Sequence, residues 1–199
     1  LQENSNEGWM EIFDAMTEQG RKTWHDLCDP SVYLPDATMP MMFVCGTNDF
    51  AYYLDSYKKS YSLVKSPLTV CVKHEMDHGH EPGWAPDEIR MFADLFFRGA
   101  PALPRISLAV RKGSAARASF TSDCPVERGY LVYTKDTGTW PERKWHKEPA
   151  TLGDGEVCAQ LPKATTAWFL AVEDDRGGYV STPHEEGGKE GTEAEKKED

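Results

Sequence analysis

Apolar positions Trp9, Ile12, Phe13 and Met16 recur at helical spacing, and Gly20 follows as a stop signal. A second short helix is predicted over 21–27. It ends at Asp29-Pro30, because a residue before proline avoids the helical region. The run MMFVCG, 41–46, is continuously apolar and closed by glycine, which suits a strand buried on both faces of a parallel sheet. Leu54, Tyr57, Tyr61 and Val64 mark a further helix. LTVCVKHE, 68–75, is rich in β-branched residues and reads as the next strand. The polar loop HEMDHGHEPGW, 74–84, overlaps its end. Pro86 then opens a helix with Asp87 and Glu88 in its first turn, where acids suit the dipole. Ile89, Phe92 and Phe96 give it an apolar face, and Arg98-Gly99 end it. Alternation of helices and strands in this order predicts an α/β region with a parallel sheet over 1–99.

The texture changes after Gly99. APALP opens a linker over 100–105. Short strand-like runs follow: ISLAVRK, ARASFTS, GYLVYTKD, EVCAQLP and TAWFLAVEDD, separated by turn signals such as DTGTWPE, LGDGE and DDRGG. Short strands at this spacing predict a small, all-β, immunoglobulin-like sandwich over 106–184. The remainder, 185–199, is polar, glycine-bearing and free of aromatics, and is expected to be a disordered acidic tail. No internal repeat interrupts this plan.

Composition narrows the function more than the fold. Hydrophobic residues make up 39% of the 199, enough for a packed core. A net charge of −11 argues against a nucleic-acid partner, since phosphate binding needs clustered Lys and Arg. No apolar run is long enough to span a bilayer, so no membrane partner is expected. The opening LQENSNEGWM has neither an initiator Met nor the pattern of a signal peptide. Cys28, Cys45, Cys71, Cys124 and Cys158 form no CxxC, which argues against a zinc ribbon or a disulfide-knotted scaffold. Cys45 and Cys71 lie inside apolar runs and read as small buried hydrophobes.

Two loops carry candidate chemistry. GTNDF, 46–50, follows the first strand, so Asp49 lies at the carboxyl edge of the sheet, where open α/β sheets place their ligands. Asp49 could equally cap the next helix. The histidine loop follows the next strand and emerges at the same edge, so Asp49 and His78 can meet as acid and base of a catalytic triad. Their chain order fits that of α/β-hydrolases, in which the acid precedes the histidine. A metal reading would use His74, His78 and His80 with Asp77 and Glu81. His74 belongs to the strand by periodicity, and there is no HExxH helix, so no metal is expected. Trp84 and His80 are candidates for substrate contact, Trp84 by stacking on a sugar ring, although a Trp at a helix entrance also packs as a staple. Trp140, Trp145 and Trp168 could form a carbohydrate-binding face, but aromatics in a small sandwich usually pack inside it.

A nucleophile is missing. The sequence contains no G-x-S-x-G elbow: Ser31, Ser56, Ser60, Ser62 and Ser66 lack its flanking glycines, and Ser114 in KGSAARA precedes strand-like residues in the second domain. The expectation is therefore a carboxyl-terminal piece of a longer enzyme, inactive alone.

The stretches DPSVYLPDATMPMMFVCGTNDFAYYLDSYKKSY and HEMDHGHEPGWAPDEIRMFADLF resemble the end of bacterial α/β-hydrolases of the acetylxylan-esterase and prolyl-oligopeptidase-like type. They also resemble, more distantly, the PhoPQ-activated pathogenicity-related proteins. GYLVYTKDTGTWPERKWHKEPATL and AWFLAVEDDRGGYVSTPHEE look like the small β-sandwich that follows such hydrolases. The resemblance implies the end of an α/β-hydrolase sheet over 1–99, with Asp49 as the acid and His78, rather than His80, as the base. It places the serine and the oxyanion donors upstream of Leu1. It implies a serine hydrolase acting on carboxylic esters, an acylated carbohydrate or other small-molecule ester as substrate, no cofactor, and an extracellular or periplasmic setting. Two rivals remain: a serine peptidase on the same scaffold, and a non-enzymatic carbohydrate-binding or structural module.

Overall fold

The computed structural model describes residues 9–187. Helix α1 (Trp9–Ala15) and helix α2 (Glu18–Cys28) open the chain. Gly20 does not stop the first helix. It lies in the first turn of the second, donating its N–H to the hydroxyl of Thr17, which caps α2. A capping threonine outweighs the glycine because it satisfies a backbone donor that would otherwise lack a partner. The Phe13 and Trp24 rings meet edge to face at 4.7 Å and hold the two helices together. Asp29 ends α2 as expected, in extended conformation before Pro30.

Strand β1 (Met41–Gly46) and strand β2 (Leu68–Lys73) pair in parallel, with Met41 opposite Leu68 and Gly46 opposite Lys73. Helix α3 (Leu54–Tyr61) crosses between them. The histidine loop contains a single-turn helix, α4 (His80–Trp84). Helix α5 (Asp87–Arg98) follows and ends on Gly99 at φ 66, the left-handed conformation glycine adopts without penalty. The local elements thus follow the hydrophobic pattern.

The fold class does not. Among the described residues the parallel sheet has two strands only. The remaining nine strands form an antiparallel, nearly closed, barrel-like sheet, and helices make up just 28%, so the expected α/β-hydrolase sheet is corrected to a mostly β architecture. Along the chain these strands are β3 (Arg105–Ile106), β4 (Val110–Lys112), β5 (Ala115–Thr121), β6 (Val126–Thr134), β7 (Trp145–Gly153), β8 (Glu156–Gln160), β9 (Ala167–Asp174), β10 (Tyr179–Ser181) and β11 (Glu185–Glu186). The hydrogen-bonded path runs β10-β9-β6-β7-β8-β5-β3, with β4 on β5 and β11 on β9. One continuous path replaces the two stacked sheets of an immunoglobulin-like sandwich.

Strand β7 makes that continuity, and its sequence hid it. WHKEPATLG has charges and a proline, which argue against a central strand. The structure accommodates them by dividing the strand: 145–150 pairs with β6 and 151–153 with β8. Pro149 falls in the part paired on one side only. The short β10 and β11 were also invisible to periodicity. Glu185 and Glu186, expected in the disordered tail, form β11, and 188–199 lie outside the described residues.

Strand β9 explains how the parallel pair is held. Every side chain of AWFLAV is buried. Trp168, Leu170 and Val172 point to the interior of the curled sheet with Leu131, Tyr133 and Val157. Ala167 and Phe169 point the other way, onto Cys45, Val70, Val72, Leu54 and Tyr61 of β1, β2 and α3. Alternation on a strand sends successive residues to opposite faces, so a continuously apolar run serves two apolar layers at once. Trp168 is core, at 1% exposure. The N–H of Val72 also bonds the Ser181 hydroxyl, joining β2 to β10.

Candidate functional site

The four residues after Cys45 each have a distinct job. A Cβ on Gly46 would stand 1.7 Å from the carbonyl oxygen of Met76, so only glycine lets the histidine loop approach β1 this closely. The Thr47 hydroxyl accepts the Glu75 N–H at 2.9 Å and donates to Asn48 Oδ1 at 2.7 Å. The Asn48 amide donates to the carbonyls of Pro141 and Arg143 at 2.8 and 3.0 Å. Asp49 is 4% exposed, and its Oδ1 accepts the N–H groups of Ala51 and Tyr52 at 2.9 and 2.8 Å.

That last pair shows that Asp49 caps a turn. It does not cap α3, whose N-terminal flank is Tyr53 without a side-chain bond. The same carboxylate also faces His78. His78 Nδ1 lies 3.2 Å from Oδ1 and 3.3 Å from Oδ2. The fold therefore brings together two residues 29 positions apart, because β1 and β2 are parallel neighbours whose ends point the same way. Tyr52 and Phe50 flank the imidazole edge to face, each 5.4 Å from its centroid. The His78 side chain is 38% exposed, and among the described residues Nε2 makes no hydrogen bond. An imidazole with one nitrogen held by a carboxylate and the other open can accept a proton at the open nitrogen while the carboxylate stabilises the resulting charge.

The other histidines are separated from this pair by their partners. His74 Nε2 approaches the Trp145 carbonyl at 3.2 Å. His80 stacks on Trp84, rings 5.3 Å apart and 10° from parallel. Trp84 is 79% exposed, so it is not a packing staple. Among the described residues no three His, Cys, Asp or Glu side chains converge as a metal cage.

A second tie fixes the far end of the histidine loop. The buried carboxylate of Glu88, at the start of α5, takes the Lys73 ammonium at 2.6 Å and the Tyr179 N–H at 3.2 Å. Lys73 ends β2 and Glu88 begins α5, so the pair clamps both ends of the segment that carries His78.

No thiol or hydroxyl among the described residues hydrogen-bonds His78. Cys45 precedes Gly46 but is wholly buried, and desolvation pushes its thiol far above the ordinary range. Burial pushes Cys71 up to about 12. Neither supplies a thiolate near neutral pH. Asp49 and His78 were legible in the sequence. Thr47 and Asn48 were not, although a polar pair between a buried strand and a candidate acid was the available signal.

No protein-family model matches the chain, and no curated protein is similar to it. Among solved structures, pectate lyase Pel3 from Pectobacterium carotovorum is similar at 9% identity over 41% of this chain and 26% of that one. The TM-score of 0.25 is too low to indicate a shared fold. Among the described residues no helix is long and apolar enough to cross a membrane.

Proposed function

We propose that Asp49 and His78 are the acid–base half of a serine-hydrolase site that cleaves carboxylic esters. The observation that carries the reading is the buried Asp49 carboxylate on His78 Nδ1, with Nε2 left open. In this reaction a serine hydroxyl attacks the ester carbonyl and His78 Nε2 takes its proton. The imidazolium then returns that proton to the leaving alcohol, and water repeats the cycle on the acyl-enzyme. Asp49 holds the tautomer that leaves Nε2 free to accept. The serine and the oxyanion donors would come from polypeptide outside the described residues, preceding Leu1.

The resemblance of the GTNDF and HEMDHGH stretches to acetylxylan-esterase-like hydrolases supports an ester, and an acylated carbohydrate as its carrier. The exposed Trp84 ring, backed by His80, offers a flat apolar face of the kind that stacks on a sugar. The test is hydrolysis of p-nitrophenyl acetate and of acetylated xylo-oligosaccharides, together with fluorophosphonate labelling. The polypeptide extended upstream of Leu1 is expected to be active and labelled, and residues 1–199 alone to be neither. Stoichiometric labelling of a serine within 1–199 would overturn the assignment of the nucleophile. No hydrolysis by the extended protein would overturn the reading itself.

A further inference from the structure

Strand β2 ends at Lys73, and the chain reverses through Glu75 with φ at 54. That is the left-handed region, which is strained for a residue with a Cβ unless its surroundings hold it there. The hold is the Thr47 hydroxyl, which accepts the Glu75 N–H. Thr47 is buried, so water does not compete for this bond.

The bond belongs to a relay with one possible direction. The carbonyls of Pro141 and Arg143 can only accept, so the Asn48 NH2 faces them and its oxygen faces Thr47. That oxygen takes the single Thr47 proton, which leaves the Thr47 oxygen to accept from Glu75. The segment before β7 thus reaches, through two side chains, the turn that starts the histidine loop. His74 Nε2 lies against the carbonyl of Trp145, the first residue of β7, just beyond that segment. Asp49 is two residues beyond Thr47, and His78 three beyond Glu75.

The two partners are held unequally. Asp49 is pinned by two N–H groups of its own turn. His78 meets it at 3.2–3.3 Å, the long end of a hydrogen bond, so a small displacement of the loop separates them. We infer that Thr47 and Asn48 are positioning residues for His78. They hold the loop, through the Glu75 amide, in the register at which Asp49 selects the His78 tautomer. The barrel-like sheet is then a working part of the site, because its Pro141–Arg143 segment anchors the relay. The consequence for catalysis rests on the acid–base reading, whereas the positioning is measured without activity.

The experiment is 15N NMR of histidine-labelled protein at about pH 9, where imidazoles are neutral. The two ring-nitrogen shifts report the tautomer of His78, assigned with His78→Gln. Wild type is expected to hold the proton on Nδ1. Asp49→Asn and Thr47→Val are each expected to lose that preference, and Thr47→Ser, which keeps the hydroxyl, to restore it. Asn48→Ala tests the relay from its other end and carries the test if Thr47→Val does not fold. A wild-type tautomer in folded Thr47→Val or Asn48→Ala overturns the inference, as does failure of Thr47→Ser to restore it. If the tautomer responds as expected while the polypeptide extended upstream of Leu1 cleaves no ester, the hydrolase reading is refuted and the positioning stands.

Discussion

Gly46 and Met76 are in contact through the backbone: the α-carbon of the first faces the carbonyl of the second with no room for a Cβ between them. The obstruction is main chain rather than the tip of a flexible side chain, so it cannot swing aside. Gly46→Ala is expected to lower stability by about 1–3 kcal/mol, the usual cost of overpacking. Gly83→Ala is the control. Gly83 lies in α4 with nothing within 4 Å of a new Cβ, so the change should be neutral or mildly stabilising. Urea unfolding of both variants measures the difference, and equal midpoints would contradict the close approach.

Under the proposed hydrolase function, the two histidines of DHGH should separate sharply when assayed in the polypeptide extended upstream of Leu1. His78→Ala and Asp49→Asn are each expected to lower kcat on the order of 10⁴-fold, because the amide of Asn favours the wrong tautomer. The double variant should be little worse than either single one, since the two act as a unit. His80→Ala should cost far less, because His80 is turned onto Trp84. A dead His80→Ala beside a normal His78→Ala would move the base by two residues.

His184 should make stability depend on pH. Its side chain is 0% exposed, and Trp140 meets it edge to face at 4.9 Å. Neither ring nitrogen has a partner among the described residues. Desolvation first, and then the nearby charges of Lys58 and Arg143, lower its pKa to about 3. The unfolded chain protonates near its ordinary value of about 6.5. Between those values the unfolded state binds the extra proton, so stability falls as pH falls. From pH 7 to pH 5 the loss from this group is about 2 kcal/mol. Replacing His184 with Phe should remove that part of the slope, whatever it does to stability at pH 7. Denaturant unfolding at both pH values gives the comparison, and an unchanged slope would count against a neutral buried His184.

Trp84 and Trp168 should respond oppositely to truncation. Trp84→Ala removes an exposed ring and should change unfolding free energy by less than about 0.5 kcal/mol. Trp168→Ala empties the centre of the curled sheet and should cost about 3–5 kcal/mol. Under the proposed function, Trp84→Ala in that extended polypeptide should raise KM for an acetylated oligosaccharide while leaving that for p-nitrophenyl acetate unchanged. Equal KM changes for both esters would remove Trp84 from sugar recognition.

The sequence by itself determined the local elements. MMFVCG and the 87–98 helix are governed by apolar periodicity and by proline and glycine at their ends, and both form where those signals put them, whereas LTVCVKHE forms a strand that stops at Lys73, two residues short, leaving His74 and Glu75 in the turn. It also determined that Asp49 and His78 could share one edge, because each follows a buried strand. Only the tertiary structure decided the rest. Whether β1 and β2 extend into a large parallel sheet or lie against an antiparallel one depends on what covers their apolar faces. Here β9, apolar along both faces, supplies that cover. The split pairing of β7 turned two expected sheets into one, because a strand with Pro149 can be paired on one side there and exchange partners beyond it. Thr47 and Asn48 gained their role only when Glu75, Pro141 and Arg143 arrived within hydrogen-bond reach. Periodicity records which face of an element is apolar. It does not record which distant backbone group will meet a buried hydroxyl.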